Sequence, residues 1–316
     1  MPEFDQDKFY TELDELYAKG ILADVEAFLL DKIDVSQKNQ GGRSAELLVY
    51  ANEIAALYRG LSRFEESFRY YDEAEEILLF LFGEYSTQYA TLLNNKAGAY
   101  RMSGDNENAL SIFNKALSIY KEIEETDAYL IAGILNNISG LYQNIDRSKE
   151  AADALLTAIE LLKGATGISD ELATTTANLA SIYRAMGDAD LAVSTLDEAE
   201  RLFKELPYDS VHYPAALNLR GIIELDKGNL RAAIDAFELG AEKVNKVFSK
   251  NNDYATMKNN LGDLYESIGD TDKAIQEFKE ARSAFLNNLG EDCKAAKEIG
   301  MKIDRCIKKN ESDKGN

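Results

Sequence analysis

Residues 92–100 read LLNNKAGAY, and the pattern returns as ILNNISGLY at residues 134–142 and as MKNNLGDLY at residues 257–265. The final residue of this pattern, the anchor, recurs at spacings of 42, 42, 41, 41 and 41 residues: Tyr58, Tyr100, Tyr142, Tyr183, Glu224 and Tyr265. A fixed period in this range indicates one supersecondary unit copied along the chain. Each copy then buries its apolar face against its neighbours rather than in a central core.

Several positions, counted from the anchor, have the same character in all six copies. Position −3 is small: Ala55, Ala97, Ser139, Ala180, Gly221 and Gly262. Position +13 is bulky: Tyr71, Phe113, Leu155, Leu196, Phe237 and Phe278. Position +4 is a turn former: Ser62, Gly104, Asp146, Gly187, Gly228 and Gly269. Small residues let two helix backbones approach closely while large side chains fill the adjacent space. Each copy is therefore predicted to be a helical hairpin, with a helix A and a helix B.

Turn and capping residues support this assignment. Gly104, Gly187, Gly228 and Gly269 stand where helix A should end in a left-handed residue. Each is followed by an Asp or Asn suited to cap helix B: Asp105, Asp188, Asn229 and Asp270. Apolar residues recur at steps of three and four, which is helical spacing. The sequence predicts an all-α protein.

The combination of small, aromatic, Gly and Ala columns resembles the tetratricopeptide repeat over about residues 44–285. Its period is longer than the usual 34 residues. The stretch at residues 92–97 and the turn at residues 289–292 are similar to the 42-residue variety of kinesin light chains and bacterial Rap-type peptide-sensing regulators. The resemblance implies a right-handed α-solenoid that binds peptides or proteins.

The domain organisation predicted from the period has four parts. Residues 1–43 form a degenerate N-terminal hairpin or cap, since Tyr17 lies 41 residues before Tyr58, and a polar linker covers Ser36–Gly42. Residues 44–290 form six repeats. Residues 291–308 form a C-terminal capping helix, and residues 309–316 form a flexible tail.

Composition limits the possible partners and location. The formal net charge of −21 disfavours phosphate backbones and anionic membranes, so we expect neither nucleic acid nor membrane as a partner. No basic segment followed by an apolar stretch opens the chain, and no run of 18 apolar residues occurs. A cytoplasmic protein that binds another protein or an extended peptide is predicted, with its oligomeric state open.

The sequence contains no recognisable enzyme, metal or cofactor motif. Asp209, Ser210 and His212 resemble triad components but share one short segment, whereas triads assemble from separate parts of a fold. Cys293 and Cys306 stand thirteen residues apart in one predicted helix, too far for a disulfide, so packing explains them better. With one histidine and no phosphate-binding loop, we predict no enzyme activity, no metal and no cofactor.

Asparagines recur in the middle of helix A, at positions −6 and −5. We call them the asparagine ladder: Asn52, Asn94, Asn95, Asn136, Asn137, Asn178, Asn218, Asn259 and Asn260. Asparagine is a mediocre helix former, so its recurrence inside helices suggests a purpose. Its amide has the donor and the acceptor needed to hold a peptide group, and in the family helix A lines the concave groove. Alternatively, some ladder residues bond only to the neighbouring repeat.

Arginines at position +1 flank the ladder: Arg59, Arg101 and Arg184. They are expected to face the same groove, while Asp226, Asp263 and Glu266 gather toward the C-terminal end. The alternative for the arginines is pairing with nearby carboxylates such as Glu65 or Glu66.

The function predicted from these patterns is a non-catalytic scaffold that binds a protein or peptide in the groove lined by the ladder and the arginines. The alternative is a Rap-like, peptide-sensing regulator that acts through a protein partner. Position −9 contains no lysine, which disfavours the carboxylate clamp that the resemblance would imply for a co-chaperone.

Overall fold

The computed structural model describes residues 4–18, 21–40, 43–123, 126–166, 169–248, 250–290 and 293–314. Over these ranges the chain forms fifteen helices and no strand, which confirms the all-α prediction. The helices are α1 (Gln6–Ala18), α2 (Leu22–Gln40), α3 (Ala45–Gly60), α4 (Phe64–Phe82), α5 (Thr87–Ser103), α6 (Asn106–Glu122), α7 (Ala128–Asn144), α8 (Ser148–Thr166), α9 (Asp170–Ala185), α10 (Ala189–Glu205), α11 (Tyr213–Asp226), α12 (Leu230–Phe248), α13 (Asn252–Ser267), α14 (Thr271–Leu289) and α15 (Lys294–Lys314). None of them, within the described ranges, is long and apolar enough to cross a membrane.

The helices alternate along the chain, with each odd-numbered helix serving as helix A and each even-numbered one as helix B. Every turn residue at position +4 has positive φ, from 78° to 87° at the four glycines and 58° at Ser62 and Asp146. The carboxylates of Asp105, Asp188 and Asp270 each accept a hydrogen bond from the backbone N–H three residues later. These predicted turns and caps are confirmed.

Positions −3 and +13 lie in close contact in the fifth and sixth hairpins. A Cβ atom added to Gly221 would lie 2.4 Å from the Phe237 ring, and one added to Gly262 would lie 2.4 Å from the Phe278 ring. Both rings are fully buried. The glycines are therefore required by backbone proximity, because their helices have no space there for even a methyl group.

The chain divides within α8 into two compact units, residues 1–161 and 162–316. In the first unit a continuous hydrophobic core runs from Phe9 on α1 to Leu141 on α7. In the second unit, one cluster joins Ala233 on α12 to Cys306 on α15, and another surrounds Val244 and Tyr254. Within each unit consecutive hairpins stack on one another, which is the solenoid arrangement.

The N-terminal prediction needs one correction. The α1–α2 hairpin fits the proposed cap, but α2 continues to Gln40, so the predicted linker Ser36–Gly42 is wrong over residues 36–40. Ser36 is buried, and its hydroxyl lies 3.3 Å from that of Ser44, which satisfies its polar group at the interface. The end of that predicted linker, residues 41 and 42, lies outside the described residues.

The C-terminal prediction is also too short. Helix α15 extends to Lys314, so residues 309–314 are helical rather than part of a tail, while residues 291–292 and 315–316 lie outside the described residues. The Asn310 amide donates to Asp272 on α14 at 2.7 Å, a contact that fixes the helix beyond its predicted end. Both cysteines are free thiols, and Cys306 is fully buried, in agreement with a packing role.

Two copies place a cation where the others have an apolar residue. Position −4 is Lys96 on α5 and Arg220 on α11, against Ile54, Ile138, Leu179 and Leu261 elsewhere. The Lys96 ammonium lies 2.5 Å from Glu75 and 2.7 Å from Asp72, both on the preceding helix B. Arg220 pairs in the same way with Glu200, at 2.6 Å, and with Asp197. In both copies the cation on helix A is therefore matched by carboxylates on the preceding helix B.

Substituting Gly221 tests the helix contact. We expect Gly221→Ala to destabilise the protein by about 1–2 kcal/mol, because overpacking outweighs the gain of about 1 kcal/mol in helix propensity. The control is Gly133→Ala on α7, where a Cβ would meet no atom within 4 Å. That change should stabilise by about 0.5–1 kcal/mol in urea unfolding. Equal effects at both sites would contradict the packing argument.

Removing the Lys96 cation tests the buried ion pair. Burial tends to raise the pKa of Glu75, but hydrogen bonds from Lys96 and Tyr89 outweigh it and hold that pKa below its ordinary value. This contribution is therefore present at neutral pH and is lost as pH falls through the folded-state pKa. Lys96→Ile should cost about 1–3 kcal/mol, because Glu75 keeps its charge without its cation.

In the Lys96→Ile protein burial dominates, so the pKa of Glu75 rises. As pH falls, protonation of Glu75 removes the unpaired charge from the variant. The difference in free energy of unfolding between variant and parent should therefore narrow between about pH 7 and about pH 4. The control is Lys8→Ile, since Lys8 is 71% exposed and 3.9 Å from Glu12. It should change stability by less than about 1 kcal/mol at either pH. A gap for Lys96→Ile that widens on acidification would contradict the pairing.

Candidate functional site

The asparagine ladder and its flanking arginines lie along the A helices, on α3, α5 and α7 in the first unit and on α9, α11 and α13 in the second. All these side chains are half-buried except those of Asn178 and Arg184, which are exposed. Asn52 and Asn95 line a cavity of about 380 Å³ beside Tyr10. Asn178 and Asn218 line another of about 420 Å³. The ladder thus borders concave features in both units.

Neighbouring repeats are joined by asparagine pairs that we call rungs. In each rung the side-chain carbonyl at position −6 accepts from the side-chain amide at position −5 of the next copy. The described rungs are Asn52 with Asn95 at 3.3 Å, Asn94 with Asn137 at 2.9 Å, and Asn218 with Asn260 at 2.9 Å. For these pairs the expected hydrogen bond between neighbouring repeats is confirmed.

Two of the described rungs use only half of their amide groups, whereas in the first rung the Asn52 Nδ2 also donates to Glu53 at 3.4 Å. Among the described residues the Nδ2 groups of Asn94 and Asn218 have no hydrogen-bond acceptor, and the Oδ1 atoms of Asn137 and Asn260 have no donor. Each of these two rungs therefore keeps one donor and one acceptor, the pair that a peptide group requires. Bonding between repeats does not exhaust the capacity of the ladder.

The two ends of the ladder carry charged residues in place of asparagine. At the first, Glu53 accepts from the Tyr10 hydroxyl at 3.2 Å, and burial raises the pKa of Glu53. Burial and the Glu53 charge raise the pKa of Tyr10 to about 12. At the last, the Lys302 ammonium donates to Asn259 at 3.0 Å and to Asp263 at 2.6 Å. The ends are thereby closed by other polar groups.

The arginines at position +1 adopt two arrangements. Arg59 donates through Nη1 to the backbone carbonyl of Asn95 at 3.3 Å and lies over Gly98 of the next repeat. Arg101 lies over Gly140 in the same way, and its Nε is buried with no hydrogen-bond partner. Arg184, in contrast, pairs with Asp226 at 2.6 Å. Over the described residues neither Arg59 nor Arg101 forms an ion pair.

The predicted carboxylate partners differ from the observed ones. Glu66 pairs with Arg63 at 2.9 Å, so it is not a partner of Arg59. The acidic group expected near the C-terminal end is neutralised, because Asp226, Asp263 and Glu266 pair with Arg184, Lys302 and Arg305 respectively. Each of these three carboxylates is therefore compensated by a cation.

The triad-like residues do not align with one another. The Asp209 carboxylate binds Lys246 at 2.5 Å and Lys243 at 3.3 Å, and these two hydrogen bonds lower its pKa. His212 instead lies with its Nε2 3.6 Å from Asp170 on α9. The Ser210 hydroxyl accepts from the His212 backbone N–H at 3.0 Å, which is a turn contact. Within the ranges described, no three His, Cys, Asp or Glu side chains form a metal site.

The family model for the tetratricopeptide repeat matches residues 44–122, 130–205 and 212–296. The chain belongs to the tetratricopeptide repeat family. It is 25% identical over 198 residues to the kinesin light chain-related protein 1 of Arabidopsis thaliana, covering 62% of this chain and 32% of that protein. The related protein 2 of that plant is 24% identical over 226 residues. The chain thus spans about a third of the length of these relatives.

Solved structures of other tetratricopeptide repeat proteins share the fold. BtubC (BKLC) from P. vanneervenii superposes with a TM-score of 0.60 at 22% identity, over 74% of this chain and 94% of that one. The apo form of RapI superposes with a TM-score of 0.61 at 18% identity, over 87% of this chain and 96% of that one. The apo quorum sensor NprR from B. thuringiensis superposes with a TM-score of 0.55 at 19% identity, over 94% of this chain and 86% of that one. These similarities extend the family fold beyond the repeats to the flanking helices.

A double-mutant cycle tests the rung between α5 and α7. Asn94→Ala and Asn137→Ala each remove one partner of the same hydrogen bond, so their effects should couple by about 0.5–1.5 kcal/mol. The control combines Asn137→Ala with Asn52→Ala, which share no hydrogen bond and should add within about 0.5 kcal/mol. Both cycles are read from urea unfolding. Strict additivity in the first cycle would contradict the rung.

Proposed function

We propose that this tetratricopeptide repeat protein is a non-catalytic scaffold that binds an extended segment of a protein or peptide along its A helices. The site comprises the asparagine ladder with Arg59, Arg101 and Arg184. The observation that carries the proposal is the unused donor and acceptor in the rungs that join Asn94 to Asn137 and Asn218 to Asn260.

The chemistry of the amide supports this role. A peptide group offers one N–H and one C=O, and the free Nδ2 of Asn94 and the free Oδ1 of Asn137 complement both. Because both side chains are already fixed by their mutual hydrogen bond, binding costs little further side-chain entropy. This arrangement occurs once in each unit, suits a peptide group of an extended chain and does not depend on the ligand's side chains.

The arginines add a charge preference in the first unit. Arg59 and Arg101 are half-buried cations without a carboxylate partner among the described residues. A partial negative charge on the ligand, such as a backbone carbonyl or a side-chain oxygen, would be attracted to these two cations. Two kinds of donor, amide and guanidinium, therefore converge on the same surface.

The test changes the outward donors and leaves the rungs intact. In Asn94→Asp and Asn218→Asp the side chain still accepts from Asn137 or Asn260, but the outward Nδ2 becomes an oxygen. The double variant should lose at least about 90% of partner capture from an extract of the native host, and affinity for the partner's isolated segment should fall about tenfold or more. Its urea unfolding should match the parent.

The control is Asn114→Asp, which adds the same charge at an exposed position on α6. This variant should capture the partner as well as the parent does. Undiminished capture by the Asn94→Asp/Asn218→Asp protein would refute the binding role of the ladder.

A peptide-sensing regulator remains the alternative, and RapI and NprR have the corresponding fold. It would require the bound peptide to favour one of two conformations of the repeats. A change in the small-angle scattering profile at peptide saturation would favour the regulator, and an unchanged profile would favour the scaffold.

A further inference from the structure

One rung of the ladder is replaced on both of its sides. Position −6 of the fourth copy is Ala177 on α9, and position −5 of the fifth copy is Leu219 on α11. Every other position −6 in the six copies is asparagine. Neither an alanine nor a leucine side chain can form the hydrogen bond between side-chain amides that joins α5 to α7 or α11 to α13. The ladder is thus interrupted between α9 and α11, and we call this place the ladder gap.

The ladder gap coincides with the cavity of about 420 Å³ in the second unit. Its apolar wall is formed by Ala177, Ala215, Ala216, Leu219 and Ile222, with Phe203 of α10 beneath. The volume falls in the range of about 300–1,000 Å³ typical of small-ligand pockets. Asn178 and Asn218 border it, so an amide stands on each side of the apolar wall. This arrangement suits a bulky apolar side chain whose backbone is held by the amides.

The charge around the cavity differs between its two ends. At one end His212 lines the cavity, with Asp170 3.6 Å behind it. One oxygen of Asp170 has no hydrogen-bond partner, and over the described residues no Lys or Arg pairs with this carboxylate. The Thr174 hydroxyl, also in the lining, is likewise buried without a partner. At the other end Arg184 is neutralised by Asp226 at 2.6 Å. The field at the Asp170 end therefore favours a cation.

We propose that the ladder gap is an anchor pocket for one bulky apolar residue, leucine-like or aromatic, that stands next to a lysine or arginine in the bound segment. The apolar side chain enters between α9 and α11, and the basic one lies toward His212 and Asp170. The proposal rests on the proposed function in taking a peptide segment as the ligand. A net charge of −21 on the whole chain also favours a basic segment.

Three small probes with one ring and different charges test the pocket directly. They are 2-phenylethylammonium, 2-phenylethanol and 3-phenylpropionate, and saturation-transfer NMR measures their binding to the full chain. The ammonium should bind most tightly and the carboxylate most weakly. Asp170→Asn should remove most of the preference for the ammonium while the ring still binds. Equal binding of the three probes, or a preference for the carboxylate, would overturn the charge assignment.

Substitutions that fill the ladder gap provide a second test. Ala177→Asn with Leu219→Asn restores a rung and fills the cavity, so probe binding should fall about tenfold or more while stability stays equal or rises. If that protein does not fold, Ala215→Phe fills the pocket from an exposed position and should have the same effect. Unchanged probe binding in a folded variant would refute the pocket.

The two proposals can fail separately. Probe binding together with undiminished partner capture by Asn94→Asp/Asn218→Asp would preserve the pocket and refute the ladder as a binding site. No probe binding together with lost capture in that variant would refute the pocket and preserve the ladder.

Discussion

The close contact between a small residue on each helix A and a bulky residue on its helix B sets the geometry on which the other features depend. At Gly221 and Gly262 the backbones are so near the Phe237 and Phe278 rings that a methyl group would overlap them at 2.4 Å. Because small and bulky residues recur at these two positions in every copy, equivalent residues of successive A helices meet in the same register. That register brings Asn94 to Asn137 over 43 residues of sequence.

Interfaces of this kind require polar residues to occur in matched sets. A buried polar group without a partner costs about 1–3 kcal/mol, so a change on one helix favours a matching change on its neighbour. Lys96 faces Glu75, whereas the equivalent positions of other copies are apolar. At the ladder gap both amides are absent together, at Ala177 and Leu219. Repeats that share one fold can therefore differ in surface chemistry without losing stability.

The fold could be predicted from local signals in the sequence. The contacts between repeats could not. The glycine at position 104 and the aspartate after it predict a helix end and a helix start, because turn and capping chemistry involves neighbouring residues. The sequence alone left open whether Asn137 bonds to Asn94 or to a ligand, since the choice depends on the distance between two helices. Ser36 looked like part of a linker, yet contact with Ser44 buries it within α2. Lys96, a cation in an apolar column, was a readable signal of the buried ion pair.

We propose that the rungs both join the repeats and bind a ligand. The most direct measurement is NMR of asparagine side-chain amides, selectively labelled with ¹⁵N, during titration with the partner's binding segment. The Nδ2 resonances of Asn94 and Asn218 should shift on binding, while that of Asn114, on a helix B, should stay in place. Shifts at Asn114 with unchanged ladder resonances would contradict ligand binding by the rungs, because the ligand would then lie on the other face of the hairpins.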